Sequence, residues 1–234
     1  MHKARTFAFL IPLAFAGIAS AAPIHGTANV LPEVRKQLAA GHKCVVDGSF
    51  GTASAHADVV LISDNVAVYV NTAFVPASQR STCLKAIQAS LSEWQSALDD
   101  TIHFHLEDDP AKADIKVTFR ADVRMGREAV AGLTNWTRSI HTDGQVSQAT
   151  FKADMQVRAR NMDFHPLSFE AMRQETEHEF GHCLGLDDSD HLGDLMGLFD
   201  VAHLVSGPRD YEIQAVKDLR EEAKQIKADA NKQH

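Results

Sequence analysis

The chain has 234 residues, 44% of them hydrophobic, which suffices for one well-filled core and gives no reason from length alone to expect a second domain. A formal charge of −8 argues against nucleic acid or an anionic membrane surface as a partner. No uninterrupted apolar stretch reaches the roughly 18 residues that a spanning helix needs, so membrane insertion is not expected.

At the start, Lys3 and Arg5 precede an apolar run from Thr6 to Ala19 and the small residues Ala19-Ser20-Ala21. This is the pattern of a signal peptide spanning 1–21, with cleavage expected after Ala21 and a secreted or periplasmic product. Loss of Lys3 and Arg5 would take the formal charge from −8 to −10. Residues 22–60 are small, mixed and polar, punctuated by Gly41, Gly48 and Gly51, and read as a loosely structured N-terminal extension or short pro-segment. The main folded domain is expected over 61–230.

Within it, Val66, Val68 and Val70 alternate with Ala67, Tyr69 and Asn71, the period of a half-buried strand. Leu84, Ile87, Leu91, Trp94 and Leu98 recur at helical spacing, which predicts an amphipathic helix over 82–98 with Ser81 as its N-cap. Alternation predicts further strands around Ile102 to Glu107, Ile115 to Arg120 and Phe151 to Val157. The Gly-rich, polar stretch 121–148 reads as a long loop containing a short edge segment near Gly132-Leu133-Thr134. Ser168 opens a helix through Leu184, and Gly185 is placed to end it, because glycine tolerates the left-handed conformation required there. A last amphipathic helix is expected from about Arg209 to Asp229.

The chemistry concentrates in Glu177-His178-Glu179-Phe180-Gly181-His182-Cys183-Leu184-Gly185-Leu186-Asp187-Asp188. His178 and His182 stand four apart, so on a helix both imidazoles project from one face and can grip a zinc ion. Glu179, one residue further round, lies beside such a metal, where its carboxylate can act as general base toward a bound water. Once the chain reverses at Gly185, Asp188 can return as a third ligand. Cys183 lies inside this motif on a helix predicted to be buried, which leaves Cys44 and Cys83 as the expected disulfide in an oxidising compartment. Asp187, Asp190 and Asp194 form an acidic loop that could hold a structural calcium ion, although a solvated loop is the plainer reading.

At these residues the chain resembles the metzincins and, within them, the matrixins, whose motif reads H-E-x-x-H-x-x-G-x-x-H-S followed by a methionine turn. Here the matching residues are His178, Glu179, His182, Gly185, Asp188 and Ser189, with Met196 at the spacing of that turn. The resemblance implies an α/β zincin fold: a twisted, mixed but mainly parallel sheet packed on the active-site helix, with a smaller lower subdomain and a substrate cleft between. It also implies a zinc metalloendopeptidase that hydrolyses peptide bonds in protein or peptide substrates, expected to be a monomer. Three departures stand out. Asp188 replaces the third histidine, as in small bacterial metzincins that resemble snapalysin. No proline follows Met196 closely, and the family's cysteine-containing pro-segment motif is missing. The alternative is a catalytically silent, metzincin-like secreted binding protein with a structural metal. Retention of Glu179 favours the enzyme, since a structural zinc would have four protein ligands and no use for a carboxylate beside an open position.

Overall fold

Valine alternation becomes the strand β1, Asn65–Phe74, whose Val66 and Val68 are fully buried. The computed structural model of the chain describes residues 28–143 and 146–232, so the expected leader at 1–21 lies outside the described residues. Strands β2 (His103–Leu106), β3 (Ile115–Arg120), β6 (Gly132–Asp143) and β7 (Val146–Arg158) complete a five-stranded sheet in the order β2-β1-β3-β7-β6. The first three pairings are parallel, and β6 joins β7 antiparallel at the edge. This is the mainly parallel mixed sheet expected of a zincin. On β3 and β7, Ile115, Val117, Phe119, Ala153, Met155 and Val157 point into the core, while Lys116, Lys152 and Asp154 are exposed on the other face.

The helix α3, Ala77–Ala97, begins one turn earlier than its apolar spacing predicts. Pro76 sets the start, and Ser81 lies inside the helix instead of capping it. Its buried Cys83, Ile87, Leu91 and Trp94 meet α4, Phe169–Leu184, in the main core. Ser168 caps α4 by accepting from the Ala171 amide at 3.1 Å, and Gly185 ends it at φ 107°, both as predicted. The last helix, α5, runs Asp210–Lys232. No helix among the described residues is long and apolar enough to cross a membrane.

Two stretches differ from the sequence reading. Residues expected to be loosely structured form α1, Pro32–Val46, and α2, Phe50–Leu61. Val34, Leu38, Ala53, Ala57 and Val60 pack with Leu219, Ala223 and Ile226 of α5 in a second core cluster. Small side chains let these helices approach closely: a Cβ on Gly41 would stand 3.1 Å from Ile226 Cδ1. Arg220 of α5 ties the layers together by donating to the carbonyls of Leu61 at 2.8 Å and Thr101 at 3.0 Å. The Gly-rich stretch after β3 is not one long loop either. It holds a hairpin of β4 (Val123–Met125) and β5 (Glu128–Val130), then the twelve residues of β6. The inward positions of β6 are Gly132, Thr134, Trp136 and Arg138, of which only Trp136 is a large apolar residue packed on the main core, so no run of alternating hydrophobic residues marks the strand.

The disulfide expected between Cys44 and Cys83 is not formed, and all three cysteines are free. Cys44 lies half-buried on α1 against the second cluster, whereas Cys83 is sealed in the main core, its thiol 3.8 Å from the Met172 sulfur. Burial pushes the Cys83 and Cys183 thiols up, to about 11 and about 12, so neither is an oxidation-prone thiolate. Non-reducing denaturation with a thiol-alkylating reagent should therefore label Cys44, Cys83 and Cys183 in every molecule. A Cys44–Cys83 linked peptide in the mass map would contradict this packing.

Candidate metal centre

On α4 the four-residue spacing brings the rings of His178 and His182 to a centroid separation of 4.8 Å, edge to face. Each ring is oriented from behind. The Nδ1–H of His178 donates to the Leu195 carbonyl at 2.9 Å, and that of His182 to the Leu186 carbonyl at 3.0 Å. Both Nε2 atoms are thereby left as lone-pair donors facing the same point. The left-handed turn at Gly185 then brings Asp188 back. Its Oδ1 lies 3.3 Å from His178 Nε2 and 3.5 Å from His182 Nε2.

These separations bear on metal fit. Donors held about 2.0–2.1 Å from a tetrahedral zinc stand roughly 3.3–3.4 Å from one another. Asp188 Oδ1 already stands at that spacing from both imidazoles, so the residues present fit a zinc ion with a fourth position open. Glu179 is an alternative donor, because its carboxylate and the two imidazoles offer ligand atoms within 4.8 Å of one another. Its Oε2, however, accepts from the Thr134 hydroxyl at 2.5 Å, whereas Asp188 already meets both imidazoles at ligand spacing. On geometry, Asp188 is therefore the candidate third donor already in contact with both rings. His191 is exposed, and its backbone amide turns back onto the Ser189 hydroxyl at 3.1 Å.

Behind Glu179 lies a second carboxylate absent from the sequence reading. Glu175, one turn earlier on α4, is buried and sits within hydrogen-bonding reach of Glu179. Burial holds it above the ordinary carboxylate range. Both carboxylates face Gly132 of β6, where any Cβ would collide with them. A larger residue there would have to displace both carboxylates. Burial also raises Glu177, to about 7, against the opposing pull of Arg173, whose guanidinium lies 2.5 Å away.

Met196 is buried beneath α4, as its spacing predicts, and a Cβ on Gly181 would collide with its sulfur. The turn around it is held by Glu212 of α5. This buried carboxylate accepts from the amides of Met196 at 2.9 Å, Leu195 at 3.3 Å and Arg209 at 2.7 Å. Since the Leu195 carbonyl in turn orients the His178 ring, Glu212 supports that ring through Leu195. The missing proline after Met196 is thus offset by a carboxylate that sequence spacing could not reveal. Asp194, one of the three acids considered for calcium, has both oxygens engaged, by the Ser189 hydroxyl at 2.6 Å and by the Tyr211 hydroxyl.

The family model for the matrixins (Peptidase M10) matches residues 63–212, which include the whole of this centre. The chain belongs to the matrixin family. Matrixins are zinc metallopeptidases, so the family supplies the metal for which the donor spacing is suited. A comparison with curated proteins finds no significant match. The matched region of this matrixin begins after α2, leaving the helical pair α1–α2 outside it.

Two outcomes are expected. Asp188→Ala should lose zinc in a chelator competition, while His191→Ala should retain wild-type affinity; the reverse order would reassign the third donor. Glu212→Ala leaves the two buried amides of Leu195 and Met196 and the partly buried amide of Arg209 without an acceptor and should lower stability by about 3 kcal/mol in urea unfolding. An unchanged midpoint would show that the turn does not depend on it.

Proposed function

We propose that this matrixin is a secreted or periplasmic zinc endopeptidase in which His178, His182 and Asp188 hold the metal and Glu179 is the general base. The observation that carries the reading is Asp188 Oδ1 at zinc-ligand spacing from both His178 Nε2 and His182 Nε2, with the Glu179 carboxylate close by and held by Thr134. The export part rests on the leader pattern of Lys3, Arg5 and the apolar run to Ala19. A bound zinc would acidify a coordinated water and polarise the scissile carbonyl.

The chain's own groups would do the rest. Thr134 donates to one oxygen of Glu179, and buried Glu175, whose neutral form is favoured by desolvation, would present a second donor to the same carboxylate. Two donors restrict the Glu179 side chain to one orientation and leave its remaining lone pairs to take a proton from the attacking water. The same carboxylic acid would then deliver that proton to the leaving amine. Substrate would be held by β6. It ends the sheet, so among the described residues no strand pairs with its outer side, and an extended peptide could add there through main-chain hydrogen bonds. Since Gly132 and Thr134 of this strand face Glu179, such a peptide would pass beside the two histidines.

Cleavage of a denatured protein substrate, with and without a zinc chelator, tests the activity. Glu179→Ala should keep zinc and fold but lose at least about a hundredfold in turnover, the usual scale for a general base. Glu175→Gln, which mimics the protonated acid, should stay within a fewfold of wild type. An active Glu179→Ala protein, or a wild type that is indifferent to chelator, would sink the assignment.

A further inference from the structure

The segment that enters α1 is bound to the loop that carries Asp188. The Leu31 amide donates to the Gly185 carbonyl at 2.9 Å, and the Asp187 amide donates to the Asn29 carbonyl at 3.0 Å. Between them Val30 and Leu186 form an antiparallel bridge. Beyond it the Asn29 side-chain amide reaches the Asp188 carbonyl at 2.7 Å. On its other side the loop is held by the Ser189 amide, which donates to the Met196 carbonyl at 2.7 Å. Asp188 is therefore clamped between two hydrogen-bonded neighbours, although 74% of its own side chain is exposed.

The clamp is anchored in depth. Val34 of α1 and Leu219 of α5 close over the turn: a Cβ on Gly185 would meet Leu219 Cδ1 at 3.1 Å and Val34 Cγ2 at 3.5 Å. Val34 and Leu38 are buried, so α1 cannot leave without exposing them and the α5 face that they cover. From α2, the Val59 carbonyl accepts from Arg138, whose other nitrogen donates to the Cys183 carbonyl of α4 at 2.5 Å. Helix α1 thus touches the exit of the active-site helix, and α2 reaches that helix through Arg138 of β6. A removable pro-segment would be expected to cover the cleft and to leave a complete fold behind. Here the packing does the opposite.

We infer that residues 28–61 are a permanent brace of the metal centre, and that Asn29 is a positioning residue that holds the Asp188 loop at ligand spacing. The inference rests on the reading of Asp188 as a donor. Without Asn29, the carbonyl of Asp188 turns to water, and the carboxylate must be ordered each time metal binds. Loss of a group that orients a ligand typically weakens metal binding about tenfold or more.

The test uses the full chain, freed of metal and titrated with zinc alone against a competing chelator. Asn29→Ala should raise the zinc dissociation constant about tenfold. It should also speed amide exchange in peptides covering 185–189 of the metal-free protein, while the unfolding midpoint stays close to that of wild type. Lys36→Ala, on the exposed side of α1, should change none of these. Asp188→Ala runs alongside. If it loses zinc while Asn29→Ala binds as tightly as wild type, the positioning role is overturned and the ligand assignment stands. If neither variant loses affinity, the assignment of Asp188 falls and takes the inference with it. N-terminal sequencing of the purified active enzyme should find a start upstream of Asn29. An active form beginning after residue 61 would overturn the permanent brace.

Discussion

His178, His182 and Asp188 meet because one helix stops in one place. His178 and His182 lie on the last turns of α4, and Asp188 can return to them only if the chain reverses within three residues of His182. A left-handed residue at 185 makes that reversal, and glycine adopts φ 107° at little steric cost. The same turn frees the Leu186 carbonyl to orient the His182 ring. It also exposes the backbone of 185–187 to pairing with the segment before α1. A helix one turn longer would keep both histidines and lose the site.

Close approach is the second constraint. Gly181 admits the Met196 sulfur under the helix, and Gly132 admits two carboxylates between helix and strand. Each glycine trades a side chain for a contact that positions chemistry. Around them α4 buries Glu175, Glu177 and Glu179 in one stretch, an arrangement that costs desolvation at every carboxylate. The cost is offset by partners, Arg173 for Glu177 and Thr134 for Glu179, while burial raises Glu175 beside Glu179 and so favours its neutral form. The interior behind the metal ligands is consequently polar and ordered, suited to holding a base in a single orientation.

The matrixin core and the additional helices divide the labour. The sheet and α3 pack against α4, which carries His178, Glu179 and His182, while α5 buttresses the methionine turn through Glu212. The pair α1–α2, outside the family match, buries the far half of α5 and grips the exit from α4. A segment of small residues does this well, because the alanines of α2 allow helices to pack closely with little side-chain entropy to lose.

Much of the centre was legible in residue order, because helical and turn geometry are local. The spacing of His178 and His182, the cap at Ser168, the glycine stop at Gly185 and the distance to Met196 need no distant partner to be understood. Strands with apolar alternation, β1, β3 and β7, were legible for the same reason. What escaped was set by contacts far apart in the chain. The β6 strand points Gly132, Thr134 and Arg138 at polar groups of α4, so no hydrophobic period marks it. Cys44 and Cys83 are a plausible pair only until the fold places them in different core clusters. The helices α1 and α2 draw on burial against α5, nearly 160 residues away at the Arg220 to Leu61 hydrogen bond. Residue order alone thus determined which side chains could bind a metal. Tertiary packing decided which groups orient them, Glu212, Glu175, Thr134 and Asn29, because those are chosen by proximity in space, which no local pattern encodes.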